Sequence, residues 1–237
     1  MSILNPVYSY HLPGDGHLQP YCHEIFRGLR HWRDGAGRLR TIGVTSSYGG
    51  EGVSTLAANL AFAAAADGSG QVLLVDANLA HPTLHETFGF RQSPGFFEFL
   101  GGRPPADCAH RLVGTPNLAL LTVGAMPDAI DGEAGSDRAF AKRIEVLTQT
   151  YDRVIFDLPP VAEDVFPPAL PSLLDGVLLV TESERVQRQN LWRTKCALEG
   201  SGAQILGVVV NKQRQYLPQW LDNILPSRVH YRPRNPR

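Results

Sequence analysis

One stretch of this chain has the residue types and spacing for chemistry on phosphate: Ser46-Ser47-Tyr48-Gly49-Gly50-Glu51-Gly52-Val53-Ser54-Thr55. It lies between Ile42-Gly43-Val44-Thr45, an apolar run fit for a buried strand, and Leu56-Ala57-Ala58-Asn59-Leu60, which continues as a helix pattern. A glycine-rich turn in that setting aims backbone N–H groups at one point, where they cradle phosphate. Such loops end in Gly-Lys-Ser/Thr; here Gly52 and Ser54 flank Val53 where the lysine belongs. Two carboxylates end other apolar runs, Asp76 after Gln71–Val75 and Asp157 after Arg153–Phe156. Mg2+ takes oxygen ligands and keeps several waters, so Ser54 as direct ligand, with Asp76 and Asp157 acting through water, would suffice. Each aspartate alone could equally cap a strand end. The coincidence of loop and carboxylates at three strand ends favours a site.

The valine matters. An ammonium about 4 Å from a phosphate oxygen contributes on the order of 4 kcal/mol at an effective dielectric of about 20. Made in a transition state, that is roughly a thousandfold in rate. Phosphoryl transfer depends almost wholly on positioning and charge neutralisation. Only Lys142, Lys195 and Lys212 occur in the chain, none near the loop in sequence, so no neighbouring lysine has shifted register. An arginine from elsewhere, such as Arg185 or Arg188, is the alternative source of charge. The loop N–H groups survive the change, so weak nucleotide binding can outlast catalysis.

The elements that position these residues read as alternating strands and helices. Strands are expected at Gln71–Val75, Leu118–Thr122, Arg153–Phe156, Gly176–Thr181 and Ile205–Val210. Helices are expected at Tyr21–Trp32, from the loop to about Ala66, at Leu84–Phe88, Phe96–Leu100, Ala139–Gln149 and Arg188–Glu199. That alternation predicts an α/β fold, a mainly parallel twisted sheet with helices on both faces. Ligands of such sheets sit at the carboxyl ends of the strands. Residues 1–20 read as an irregular arm, 21–212 as one domain and 213–237 as a basic tail. In the first helix Ile25, Phe26 and Leu29 form an apolar stripe, while Glu24, Arg27 and Arg30 share another face. That charged face is either simply solvated or a self-association surface. Trp192, at helical spacing with Leu198, is expected in the core.

The chain has 237 residues, 43% hydrophobic and 19% charged, with net charge −1, which excludes an electrostatic nucleic-acid binder. Cys22, Cys108 and Cys196 match no metal or disulfide spacing, which suits a reducing cytoplasm. The first residues lack the basic start and long apolar run of a signal peptide. The longest helix-prone apolar run, Leu60–Ala66, is too short to cross a bilayer. His81 and His85 are four apart, but Pro82 intervenes and no third ligand is evident, so no zinc site is expected. Asn211-Lys212 after a strand reads as a base-contacting pair or as a turn asparagine.

Taken together, the motifs resemble the bacterial tyrosine kinases (BY-kinases) of capsule and exopolysaccharide synthesis, within the MinD/ParA-like P-loop ATPases. The resemblance runs from about Glu24 to Lys212. It rests on the Gly50-Glu51-Gly52-x-Ser54-Thr55 core with Asn59-Leu60-Ala61, on Leu73-Leu74-Val75-Asp76, on Pro82 and His85, and on Val154-Ile155-Phe156-Asp157-Leu158-Pro159-Pro160. Asp175–Val180 and Leu206–Lys212 match as well, and Glu24, Arg27 and Arg30 match the family's Glu-x-x-Arg-x-x-Arg oligomerisation motif. The resemblance implies a single-domain P-loop NTPase fold binding ATP or ADP with Mg2+. It implies catalytic Asp76 and Asp157, metal contacts from Ser54, Asp76 and Asp157, and nucleotide contacts from Ser47, Gly49, Gly50, Glu51, Gly52, Val53, Ser54, Thr55 and Asn211. Implied partners are a membrane-embedded polysaccharide chain-length adaptor and further copies of itself or a paralogous kinase, at the cytoplasmic face of the inner membrane. The departures fall together: Val53 for lysine, Asn78 for the second motif's second Asp, Ala80 for its Arg, Gly49 for the loop proline, and Tyr48 for the MinD/ParA signature lysine. The family's tyrosine-rich tail is reduced to Tyr216 and Tyr231, with four arginines in Arg228–Arg237. The expectation is a degenerate kinase that acts through association. The alternatives are an active autokinase with an arginine in the lysine's role, and a MinD/ParA-like positioning ATPase.

Overall fold

The computed structural model describes residues 8–13, 18–30, 33–34, 37–68, 70–126, 136–163, 169–183, 185 and 188–213. Its centre is an eight-stranded sheet of β1 (Tyr8–Pro13), β4 (Thr41–Ser46), β5 (Val72–Asp76), β6 (His110–Leu112), β7 (Thr115–Leu121), β8 (Arg153–Asp157), β9 (Gly176–Glu182) and β10 (Ile205–Gln213). The spatial order is β1-β10-β9-β4-β8-β5-β7-β6, and every neighbouring pair is parallel except the β6–β7 edge. The mainly parallel α/β sheet is therefore as expected. A short antiparallel pair, β2 (Arg33–Asp34) with β3 (Gly37–Arg38), stands apart.

The inner strands are buried on both faces, which is why they read as continuous apolar runs. Val72, Leu74 and Ile155 face one core, closed by α1 (Gln19–Arg30) and α2 (Val53–Ala66). Leu73, Val75, Val154 and Phe156 face the other, closed by α4 (Phe96–Leu100), α5 (Asp137–Thr150) and α6 (Leu170–Leu173), whereas α3 (Leu84–Phe88), after β5, packs Leu84 into the first core. Beyond these, α7 (Arg188–Gly200) packs Leu198 against Val177 and Leu179 of β9. The alanine-rich sequence of α2 lets it lie close against the sheet, burying Leu56, Ala57, Leu60, Ala61 and Ala64. The stripe on α1 is as read: Ile25, Phe26 and Leu29 are buried, Glu24 and Arg27 exposed.

Three expectations need correction. The arm of residues 1–20 is not irregular throughout: Tyr8–Pro13 adds an edge strand beside β10, and α1 begins at Gln19. Trp192 is not core; it is 61% exposed, with Lys195 Nζ 5.0 Å from its ring centroid. Trp192 and Leu198 are six apart, about 240° around a helix, so they do not share a face. Strand β10 continues past Val210 to Gln213; the rest of the expected basic tail, 214–237, with Tyr216 and Tyr231, lies outside the described residues.

Candidate functional site

Strands β4, β8 and β5 are adjacent, so their carboxyl ends meet on one edge of the sheet. The chain leaves β4 through the glycine loop into α2, reaches β5 on one side, and later enters β9 on the other. This is a topological switch point, where open α/β sheets hold ligands. The loop turns on two left-handed glycines, Gly50 at φ 82° and Gly52 at φ 93°. Gly52 is also the N-cap of α2, with no side-chain cap. A Cβ at Gly52 would lie 2.2 Å from Asn211 Nδ2, so backbone and asparagine fit together only with glycine there.

The loop is braced from several directions. Glu51 is fully buried and accepts the Tyr48 N–H at 2.8 Å and the Glu182 N–H at 3.0 Å. Asn211 Nδ2 donates to the Glu51 carbonyl at 2.8 Å, and its Oδ1 accepts the Lys212 N–H. Buried Ser47 is tied to Thr194 of α7, hydroxyl to hydroxyl at 2.8 Å. Gly49 is exposed beside Glu163, Ser54 is half-buried and Thr55 exposed at the start of α2. Val53 does not point to solvent: it is 8% exposed and belongs to the apolar core under α2.

Asp76 and Asp157 are register partners at the ends of β5 and β8, both fully buried. Asp76 accepts the Leu84 N–H at 3.1 Å and the Asn78 N–H at 3.3 Å. Burial pushes its pKa up to about 6, against the pull of those N–H groups and of nearby His85. Among the described residues, neither carboxylate oxygen of Asp157 has a hydrogen-bond partner. Burial pushes its pKa up to about 8; the nearby Ser54 hydroxyl draws it down in part, and Asp76 pushes it further up. A buried, unsatisfied carboxylate beside a second one is unfavourable on its own. Mg2+ held by these two groups and Ser54 would satisfy both, so the residues fit that ion. The loop and the α2 N-terminus fit a phosphate group. Glu24 and Arg27 lie on the exposed face of α1, and Arg30 ends that helix. His81 is exposed, and among the described residues no group of three or more His, Cys, Asp or Glu side chains could hold a metal.

Two cations stand at the loop: Arg185, one of the two arginines considered as an alternative source of charge, and Lys212, which was not considered for that role. Lys212 Nζ donates to the Gly50 carbonyl at 2.9 Å and to Glu182 Oε2 at 3.3 Å, and Arg185 Nη1 donates to the same Glu182 oxygen at 3.1 Å. They hold the Glu182 carboxyl below its ordinary value, against the effect of desolvation. Glu182 and Thr194 carry no motif and were not legible as loop partners. The sequence signal for Lys212 was its place in Asn211-Lys212 at a strand end.

The family model described as cellulose biosynthesis protein BcsQ matches residues 39–198. Tyrosine-protein kinase YwqD of Bacillus subtilis (strain 168) is 30% identical over 177 residues, 75% of this chain and 74% of that protein. The chain belongs to the bacterial tyrosine kinase family. Among solved structures, the chimerical protein CapA2B2 superposes with a TM-score of 0.75 at 26% identity, covering 87% of this chain and 94% of that one. The MinD cell division protein of Aquifex aeolicus superposes at 0.61 with 26% identity, covering 78% and 72%. BY-kinase membership and the single-domain P-loop fold thus stand as the motifs implied. Among the described residues no helix is long and apolar enough to cross a membrane.

Proposed function

We propose that this BY-kinase-like protein serves bacterial capsule or exopolysaccharide synthesis and export as a degenerate kinase, acting through association rather than phosphoryl transfer. One observation carries the reading: the side chain at the lysine position, Val53, is packed into the core beneath α2, beside the retained Gly50-Glu51-Gly52 turn and the aspartate pair. The names of the relatives, tyrosine-protein kinases and a cellulose biosynthesis protein, support the polysaccharide setting. Ser54, Asp76 and Asp157 are the residues proposed to hold Mg2+, and the backbone of Gly49–Ser54 the phosphates of ATP or ADP. Mg-nucleotide supplies the transferable phosphoryl group and its counter-charge. In this chain the loop orients, the buried carboxylates bind, and position 53 adds no charge. Glu24, Arg27 and Arg30 are proposed to pair with a neighbouring copy or a paralogous kinase, and a membrane-embedded chain-length adaptor to recruit the protein to the cytoplasmic face of the inner membrane.

The test is phosphotyrosine blotting of purified protein after incubation with Mg-ATP, with Val53→Lys alongside. No wild-type signal is expected. A strong signal that Asp157→Ala abolishes would overturn the degenerate-kinase reading. The second reading, an active autokinase with relocated charge, is favoured by Lys212 and Arg185 beside Gly50. Tyr48 in place of the signature lysine counts against a MinD/ParA-like positioning role.

A further inference from the structure

We propose that Lys212 and Arg185 form a cation clamp at the mouth of the glycine loop, which binds the phosphates of a polyphosphate nucleotide in place of the absent loop lysine. The inference rests on the nucleotide-site reading above. Both cations stand on one residue of the loop: Lys212 Nζ is 2.9 Å from the Gly50 carbonyl oxygen, and Arg185 Nη1 is 3.3 Å from where a Gly50 Cβ would be. Both are held by one carboxylate oxygen, Glu182 Oε2. At Glu182 two positive groups meet one negative group, so that cluster carries one surplus positive charge on the Gly50 side of the loop. Their side chains are 45% and 55% exposed, so an anion reaches them without displacing core.

The placement of Lys212 is built into the backbone. It is the one non-glycine residue with positive φ among those described, at 55°. Side chains other than glycine's rarely adopt that conformation unless surroundings impose it. Here Asn211 imposes it, accepting the Lys212 N–H through Oδ1 while its Nδ2 braces the Glu51 carbonyl. The residue that shapes the loop therefore also aims the lysine at it. Of the acids nearby, Glu51 is already bonded to two N–H groups and Glu182 holds the clamp. Glu163, whose Oε1 is 3.6 Å from a Cβ placed on Gly49, is the acid a phosphate would meet on the loop's other side. Charge at Lys212 and Arg185 offsets that repulsion where Val53 cannot.

The full chain is titrated by calorimetry with ATP, ADP, AMP, adenosine and inorganic tripolyphosphate, each with and without Mg2+. Wild type is compared with Lys212→Met, Arg185→Gln, the double variant, and Arg193→Gln as a charge control on the exposed face of α7. Thermal melts check that each variant folds. Expected is a loss of about tenfold in affinity per removed cation for ATP and tripolyphosphate at low salt, shrinking through ADP and AMP to none for adenosine. The salt dependence of ATP binding is expected to flatten in the double variant, and Arg193→Gln to behave as wild type. If wild type binds ATP and the two single variants bind it equally well, the clamp is wrong while the nucleotide site stands. An equal loss for adenosine and ATP overturns the clamp in favour of a base contact. A wild type that binds neither ATP nor tripolyphosphate overturns the nucleotide-site reading and the clamp with it.

Discussion

Asp157→Asn is expected to make the metal-free protein more stable, and increasingly so as pH rises. Asp157 is fully buried, its two oxygens have no hydrogen-bond partner among the described residues, and its pKa is raised from 3.8 to about 8, chiefly by burial. A carboxyl whose folded pKa lies above its unfolded value binds its proton more tightly when folded. Its contribution to stability is therefore greatest below the unfolded pKa and is lost as pH climbs towards the folded one. At pH 7 about 3 of the units between these values have been traversed, which at 1.36 kcal/mol per unit is about 4 kcal/mol. Water entry and relaxation reduce this, so a gain of about 2–4 kcal/mol for Asp157→Asn is expected, or roughly 5–15 °C in Tm for a domain of this size. Asp76, raised to about 6 in the same way, titrates with Asp157 as a coupled pair, so the window spans about pH 4 to 8.

The assay is thermal melting of wild type and Asp157→Asn from pH 4.5 to 8 in EDTA, then with Mg2+ and ADP. Other carboxyls titrate in both proteins, so the informative quantity is the difference between the two melts. That difference should widen with pH in EDTA. Mg2+ with ADP should raise wild type more than the variant, because the ligand replaces the proton as the partner of the carboxylate. A difference that stays flat across this range, or an asparagine variant less stable than wild type at pH 7.5 in EDTA, would refute the assignment of Asp157 as a buried carboxyl that keeps its proton until a ligand replaces it.

Further outcomes follow from other contacts. Gly52→Ala sets a Cβ 2.2 Å from Asn211 Nδ2 at φ 93°, so a loss of about 2–4 kcal/mol in denaturant unfolding is expected, with nucleotide affinity falling too. Val53→Lys trades a buried valine for a long stem with a charged tip; about 1–2 kcal/mol lower stability, together with tighter ATP binding by calorimetry, is expected. Arg27→Ala, at an exposed position on α1, should leave folding unchanged and abolish concentration-dependent association at low salt in sedimentation velocity. A wild type that is monomeric at every concentration would reduce the Glu24/Arg27/Arg30 face to a solvated surface.

What was legible in the sequence was local. The strand–loop–helix unit around Gly49–Ser54 and the aspartates closing β5 and β8 are each specified within about ten residues, by glycine spacing or by an apolar run ending in Asp. Their meeting at one edge of the sheet follows from parallel topology, because every such strand ends at the same side. What was not legible was long-range or weakly patterned. Sequence identifies Val53 as the wrong residue, but only packing shows that its side chain leaves the site for the core. Glu182 and Thr194 reach the loop across more than 130 residues of chain, from positions with no periodic or motif signature, and Arg185 could be named as a candidate charge but not placed. The strand Tyr8–Pro13 pairs with β10 across about 200 residues of chain, a partnership that its own short Tyr-, His- and Pro-containing run does not signal. These two classes meet at position 53. A local loss of charge is visible to any reader of the motif, whereas a replacement from β10 and its neighbouring segments appears only once the sheet is assembled. The lost lysine is therefore to be weighed with the two cations that the assembled sheet returns to Gly50, Lys212 and Arg185, both held by Glu182.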